Sequence, residues 1–127
     1  MSTESEDLHV QNFIDEWLNH WNLAHQKSVE SISEKLNIDY FLPCTATGIL
    51  VSDWKKPFSV QALNKSLRAY DELNLSELII ISRQVSEHAL DTIQRIKINI
   101  SVIHPLNLSE LAMKFANVSK YESAIAV

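Results

Sequence analysis

Near the middle of the chain, Asp53, Trp54 and Lys55 place an acid and a lysine two positions apart. On an extended strand, period two puts both side chains on one face. A carboxylate beside a lysine suits phosphoryl chemistry. The acid can hold a divalent cation together with substrate phosphate, and the ammonium can steer a water or neutralise charge developing on phosphate. A second carboxylate makes the set a metal pair, and Asp39, on the preceding strand, is the candidate. To act together, the three must converge at one end of a strand hairpin.

Composition limits what else this chain can be. Its 127 residues, 46% apolar and 21% charged, suit a single globular domain with room for a core. The one glycine, Gly48, excludes a glycine-rich phosphate loop, a Rossmann fingerprint or a Walker motif. A net charge of −5 gives no general attraction to nucleic acid, so any such contact falls to a local patch. Lys55, Lys56, Lys65 and Arg68 are the residues for that patch, although a solvated helix face is the more common explanation of such a group. The lone Cys44 excludes an internal disulfide and a cysteine zinc site, and its apolar run IDYFLPC reads as a buried small side chain. The five histidines lack ligand spacing, and the serines lack a glycine elbow. No apolar segment approaches the roughly 20 residues that span a bilayer, and the acidic start does not read as a signal peptide. The expected setting is therefore cytoplasmic, with no membrane partner.

The elements that must position the candidate residues follow from periodicity. Residues 1–7 read as a frayed end, and 8–36 as a helical region with an apolar stripe through Val10, Phe13, Ile14, Trp17, Leu18 and Trp21. Trp17 and Trp21, one turn apart, read as core packing. A second helix is expected from the capping box Ser31 and Glu34. Residues 38–106 read as an α/β core. Ile38–Leu42 and Ile49–Trp54 form a strand pair around the turn-like Thr45–Gly48, with Pro43 closing the first strand. Ser59 caps a helix from Val60 to about Glu72, and the unbroken apolar run Leu78–Ile81 reads as a strand covered on both faces. Ser86 caps a helix carrying Ala89, Leu90 and Ile93 inward, and Ile98, Ile100 and Val102 alternate along a half-buried strand. Residues 107–127 form a last helix and tail, with Asn107 and Glu110 as its capping pair. Two strand–helix–strand crossovers call for parallel pairing. The expected architecture is a three-layer α/β/α domain with a mixed central sheet of about four to five strands.

The order of elements, with the stretch ILVSDWKKPFSVQALNKSL and the later ELIIISRQVSEHALDTIQRIKINISVI, resembles the restriction-endonuclease-like superfamily of PD-(D/E)XK nucleases. Within it the chain is most similar to the Mrr-type and Holliday-junction-resolvase branches, over about residues 8–106. The resemblance implies a nuclease that hydrolyses phosphodiester bonds in DNA with magnesium or manganese, and it can be laid on the chain in two registers. In the first, Asp39 and Asp53 hold the metal and Lys55 acts on the attacking water, while Lys56, Gln61 and Lys65 meet the substrate phosphates. In the second, the Trp-Lys-Lys-Pro stretch lies just beyond the motif, so the motif positions fall on Leu50 and Ser52 and the site is degenerate. The second register implies a non-catalytic module that binds a protein partner, a nucleic acid or a second copy of itself. The absence of a glycine before Asp39 and the acidic balance favour it. So does the short span before Asp53, which leaves room for two of the usual three strands.

Overall fold

The computed structural model describes residues 3–30, 37–52 and 57–126. Its centre is the apolar run that the sequence singles out, in the strand β4, Glu77–Ile81. Leu78 and Ile80 face one apolar cluster and Ile79 and Ile81 the other, and none of the four is more than 1% exposed. Burying such a side chain stabilises by about 1.5–3 kcal/mol before entropy is counted, so this strand anchors both layers.

The other strands are β1, Gln26–Glu30, β2, Asn37–Leu42, β3, Thr47–Val51, and β5, Ile100–Ile103. They lie in chain order, β1-β2-β3-β4-β5. The pairs β1–β2 and β2–β3 are antiparallel, and β3–β4 and β4–β5 are parallel. Only β2 therefore runs against the rest. The carboxyl ends of the other four strands gather at one edge, where β2 begins.

Helices cover both faces. The helices α1, Thr3–His20, and α4, Leu108–Ala126, lie on one side, where Ile14, Leu18, Leu111 and Phe115 close the cluster with Tyr40, Ile79 and Ile81. Trp17 and Trp21 pack edge-on against Phe115, in the core role expected of them. The helices α2, Val60–Glu72, and α3, Glu87–Arg95, lie on the other side through Leu63, Ala69 and Ala89. The result is the expected three-layer α/β arrangement, with a mixed sheet of five strands and four helices among the described residues. Among the described residues, no helix is long and apolar enough to cross a membrane.

Local caps explain the helix boundaries. Ser59 accepts from Ala62 N at 3.1 Å and Ser86 from Ala89 N at 3.2 Å, each satisfying an orphan amide of a first turn. The last helix is entered differently from expectation. Asn107 lies inside a 3-10 turn, Pro105–Asn107, which is capped by His104. Proline suits the first position of such a turn because its missing amide hydrogen is not needed there.

Further expectations are corrected. Leu90, expected inward on α3, is 41% exposed, and Ile98, expected on the last strand, precedes β5 and is 37% exposed. The first helix begins at Thr3, within the stretch read as frayed. Residues 26–30 are a strand, within the stretch 8–36 expected to be helical; the second helix expected from Ser31 and Glu34 falls on 31–36, outside the described residues. Cys44 is exposed, because it follows Pro43 into the turn between β2 and β3 instead of remaining in the sheet. Gly48 sits inside β3 where a Cβ would lie 2.9 Å from Leu75 Cδ1 and 3.3 Å from Ile38 Cγ2, so it permits a close approach of the segment after α2.

Candidate functional site

Asp39 lies in β2 near the carboxyl edge of the sheet. The β2–β3 ladder pairs Leu42 with Thr47, Phe41 with Gly48 and Tyr40 with Ile49. Extending it by one residue sets Asp39 across from Leu50. Beyond that ladder the Val51 amide is taken by a side chain: it donates to Asp39 Oδ2 at 2.7 Å. This is the short geometry of a charge-assisted hydrogen bond. Asp39 thereby closes the end of the strand pair.

The strand is irregular at this residue. Ile38 belongs to the cluster under α2 and α3, whereas Tyr40 belongs to the cluster under α1 and α4. Residues two apart on a regular strand share a face, so the backbone changes face at Asp39. On the neighbouring strand, Ser28 falls between the pairs Lys27–Tyr40 and Val29–Ile38 and has a left-handed φ of 56°. A non-glycine residue in that region is uncommon and marks a local distortion. Neither irregularity leaves a sequence signal, because both depend on how strands pair.

Burial raises the Asp39 carboxyl above its ordinary value, opposed by hydrogen bonds from the Val51 amide and its own. Next to it, Tyr40 is pushed far upward, first by burial and then by the negative charge and hydrogen bonding of Asp15, with Asp39 adding to the effect. The Tyr40 hydroxyl donates to Gln11 O at 3.1 Å, and Lys27 Nζ lies 2.8 Å from Asp15 Oδ1 and 5.8 Å from the Tyr40 ring centre. These contacts tie α1 to the first two strands beside Asp39.

The remaining candidates divide between the described and undescribed residues. Asp53, Lys55 and Lys56 lie outside the described residues. Gln61 and Lys65 are exposed one turn apart at the start of α2, a helix that follows the carboxyl end of β3. Leu50, the acid position of the second register, is 8% exposed and packs in the core. Ser52, the lysine position, donates its amide to Ile81 O at 2.9 Å and its hydroxyl to Ser82 Oγ at 3.4 Å. Ser82 is buried and in turn donates to Gln84 O at 2.7 Å. Sequence reasoning did not connect this serine pair, which binds the exits of β3 and β4 together. Among the described residues, no group of three His, Cys, Asp or Glu side chains could hold a metal ion. Compared with protein-family models, curated proteins and solved structures, the chain matches none.

Proposed function

We propose that this chain is a restriction-endonuclease-like domain with a degenerate metal site, serving as a binding or assembly module for a protein partner. The observation that carries the reading is the surroundings of Asp39. One of its carboxylate oxygens is engaged by the Val51 amide, and Leu50, next to Val51 in β3, is buried in the core. Magnesium binds through one or two carboxylates with near-ideal octahedral geometry. An apolar side chain at the second acid position supplies no ligand, and Ser52 at the lysine position carries no charge. Under the second register these are the motif positions, and they offer no metal site. The strand β1 supplies a third strand before Asp53, which supports the fold reading and removes the short span as an argument for the second register.

The net charge of −5 makes a protein partner, or a second copy of the chain, a better fit than a nucleic-acid duplex. The test is nicking or cleavage of duplex and branched DNA with magnesium or manganese, comparing wild type with Asp53→Ala and Lys55→Ala. The expected result is no metal-dependent cleavage by any of the three. Cleavage by wild type that is lost in both variants would overturn the reading and make the chain a nuclease using Asp39, Asp53 and Lys55, with magnesium or manganese as cofactor.

A further inference from the structure

The sheet ends in two edge strands, β1 and β5. An edge strand presents a row of backbone donors and acceptors that a further strand can take up, and proteins blunt such edges with lysine or a local distortion. The edge of β1 carries both devices: Lys27 is exposed, and Ser28 has its left-handed φ of 56°. The edge of β5 carries neither. Residues 98–105, INISVIHP, include no Asp, Glu, Lys or Arg, so two copies of a chain of net charge −5 can meet there without like charges on the strand. Ile100 and Val102 are half-buried against the cluster under α2 and α3 and leave part of their branched side chains to solvent.

The backbone groups of this edge form a definite pattern. In the parallel pairing with β4, Leu78 N donates to Asn99 O at 3.0 Å and Ser82 N to Ile103 O at 3.1 Å. These bonds fix the phase of the ladder. Residues 99, 101 and 103 turn their backbone groups toward β4, and Ile100 and Val102 turn theirs outward. His104 is also extended and continues the alternation. Part of the outward row is satisfied locally, since Ile100 N donates to Ile98 O at 2.9 Å and His104 O accepts from Asn107 N at 2.7 Å. The remainder, Ile100 O, Val102 N, Val102 O and His104 N, has no partner among the described residues. Along the strand these groups read acceptor, donor, acceptor, donor. The complement of that order is its own reversal, so the edge matches a second copy of itself running the other way.

We propose that two copies of this chain pair through β5, antiparallel about a twofold axis at Val102, and so join their sheets into one. Val102 N and O exchange both bonds with their counterparts, and each His104 N donates to Ile100 O of the other copy. The half-exposed Val102 and Ile100 side chains gain cross-strand neighbours on the same face. This inference rests on the assembly reading above and names its partner. Sedimentation velocity of the full chain from about 1 μM to about 1 mM should show a reversible monomer–dimer equilibrium, with a dissociation constant on the order of 10–100 μM for so small an interface. Amide hydrogen exchange supplies a readout on the wild type alone: Val102 and His104 should become protected as concentration rises through that range. Val102→Pro removes an amide that faces away from β4, a position where an edge strand accommodates proline, and should weaken the dimer roughly tenfold or more. Val102→Lys sets two ammonium groups opposite each other and should weaken it likewise, whereas Gln26→Lys at the β1 edge should not. Circular dichroism checks that each variant is folded. A monomer at every concentration, a dimer in which Val102 and His104 exchange as fast as at high dilution, or full dimerisation by folded Val102→Pro would overturn the proposal. None of these results bears on the metal site, which the cleavage assay tests separately.

Discussion

Replacing Asp39 separates a structural carboxylate from a catalytic one. In Asp39→Ala the Val51 amide loses the acceptor that now lies 2.7 Å away. An unsatisfied, partly buried donor costs about 1–3 kcal/mol, against a total stability of about 5–15 kcal/mol for a domain of this kind. At roughly 3–5 °C per kcal/mol for a chain of this length, the melting temperature should fall by about 3–15 °C. Asp39→Asn keeps an acceptor oxygen and removes the charge that burial disfavours, so it should stay within about 1 kcal/mol of wild type at neutral pH. The pH dependence has a defined sign. Because burial raises the carboxyl in the folded state, the folded chain holds that proton more tightly than the unfolded chain. The wild type should therefore gain stability relative to Asp39→Asn as pH falls through the folded value toward the ordinary carboxylate range, and lose that gain as pH rises again. Thermal and urea unfolding of the three proteins across acidic pH measure this directly. An Asp39→Ala protein as stable as wild type would refute the ladder-closing role.

Other perturbations test the packing and the caps. Gly48→Val forces branched methyls toward Leu75 and Ile38, where even a Cβ meets Leu75 Cδ1 at 2.9 Å; overpacking of this kind costs about 1–3 kcal/mol, read as a lower urea midpoint. Ser59→Ala removes the acceptor of the Ala62 amide and should cost about 1 kcal/mol, whereas Ser59→Asp should retain most of it; equal loss in both variants would contradict a capping role. Tyr40 is pushed upward from its ordinary value of 10.0 by burial and by Asp15, so its contribution to stability is complete below that value and is lost as pH climbs through the folded one. Alkaline unfolding of Tyr40→Phe should accordingly be less steep than that of wild type, with phenolate absorbance appearing together with unfolding; ionisation of Tyr40 well before unfolding would contradict its burial.

The parts of this fold that could be read from the chain are those where local chemistry and burial agree. Pro57 and Ser59 announce α2, and its buried Leu63, Ser66 and Ala69 follow helical spacing. The run Leu78–Ile81 is apolar at every position because both its faces are covered. By contrast, β1 is an edge strand with the polar sequence QKSVE and a left-handed Ser28, so neither alternation nor apolar content marks it. Its pairing with β2 is decided by tertiary contact, which overrides weak local preference. At the candidate site, the strand carrying Asp39 was legible. Its bond to the Val51 amide was not, because that depends on where one strand's ladder stops against another. The cap at His104 had a local signal in the His-Pro pair, since a residue before proline is driven to extended backbone and proline favours a first helical turn.

The two halves of the carboxyl edge differ in what their backbone groups leave available. At the β2–β4 half, Asp39 serves the Val51 amide, Ser52 N meets Ile81 O, and Phe58 bridges to the segment after β4. Polar groups there complete the sheet. At the β4–β5 half, the connections part to opposite faces and leave an opening between Arg83 and His104. Loss of stability in Asp39→Ala without metal-dependent cleavage by the wild type would leave Asp39 a structural role. Unchanged stability in Asp39→Ala, with metal-dependent cleavage that needs Asp53 and Lys55, would return the chemistry to the end of β3.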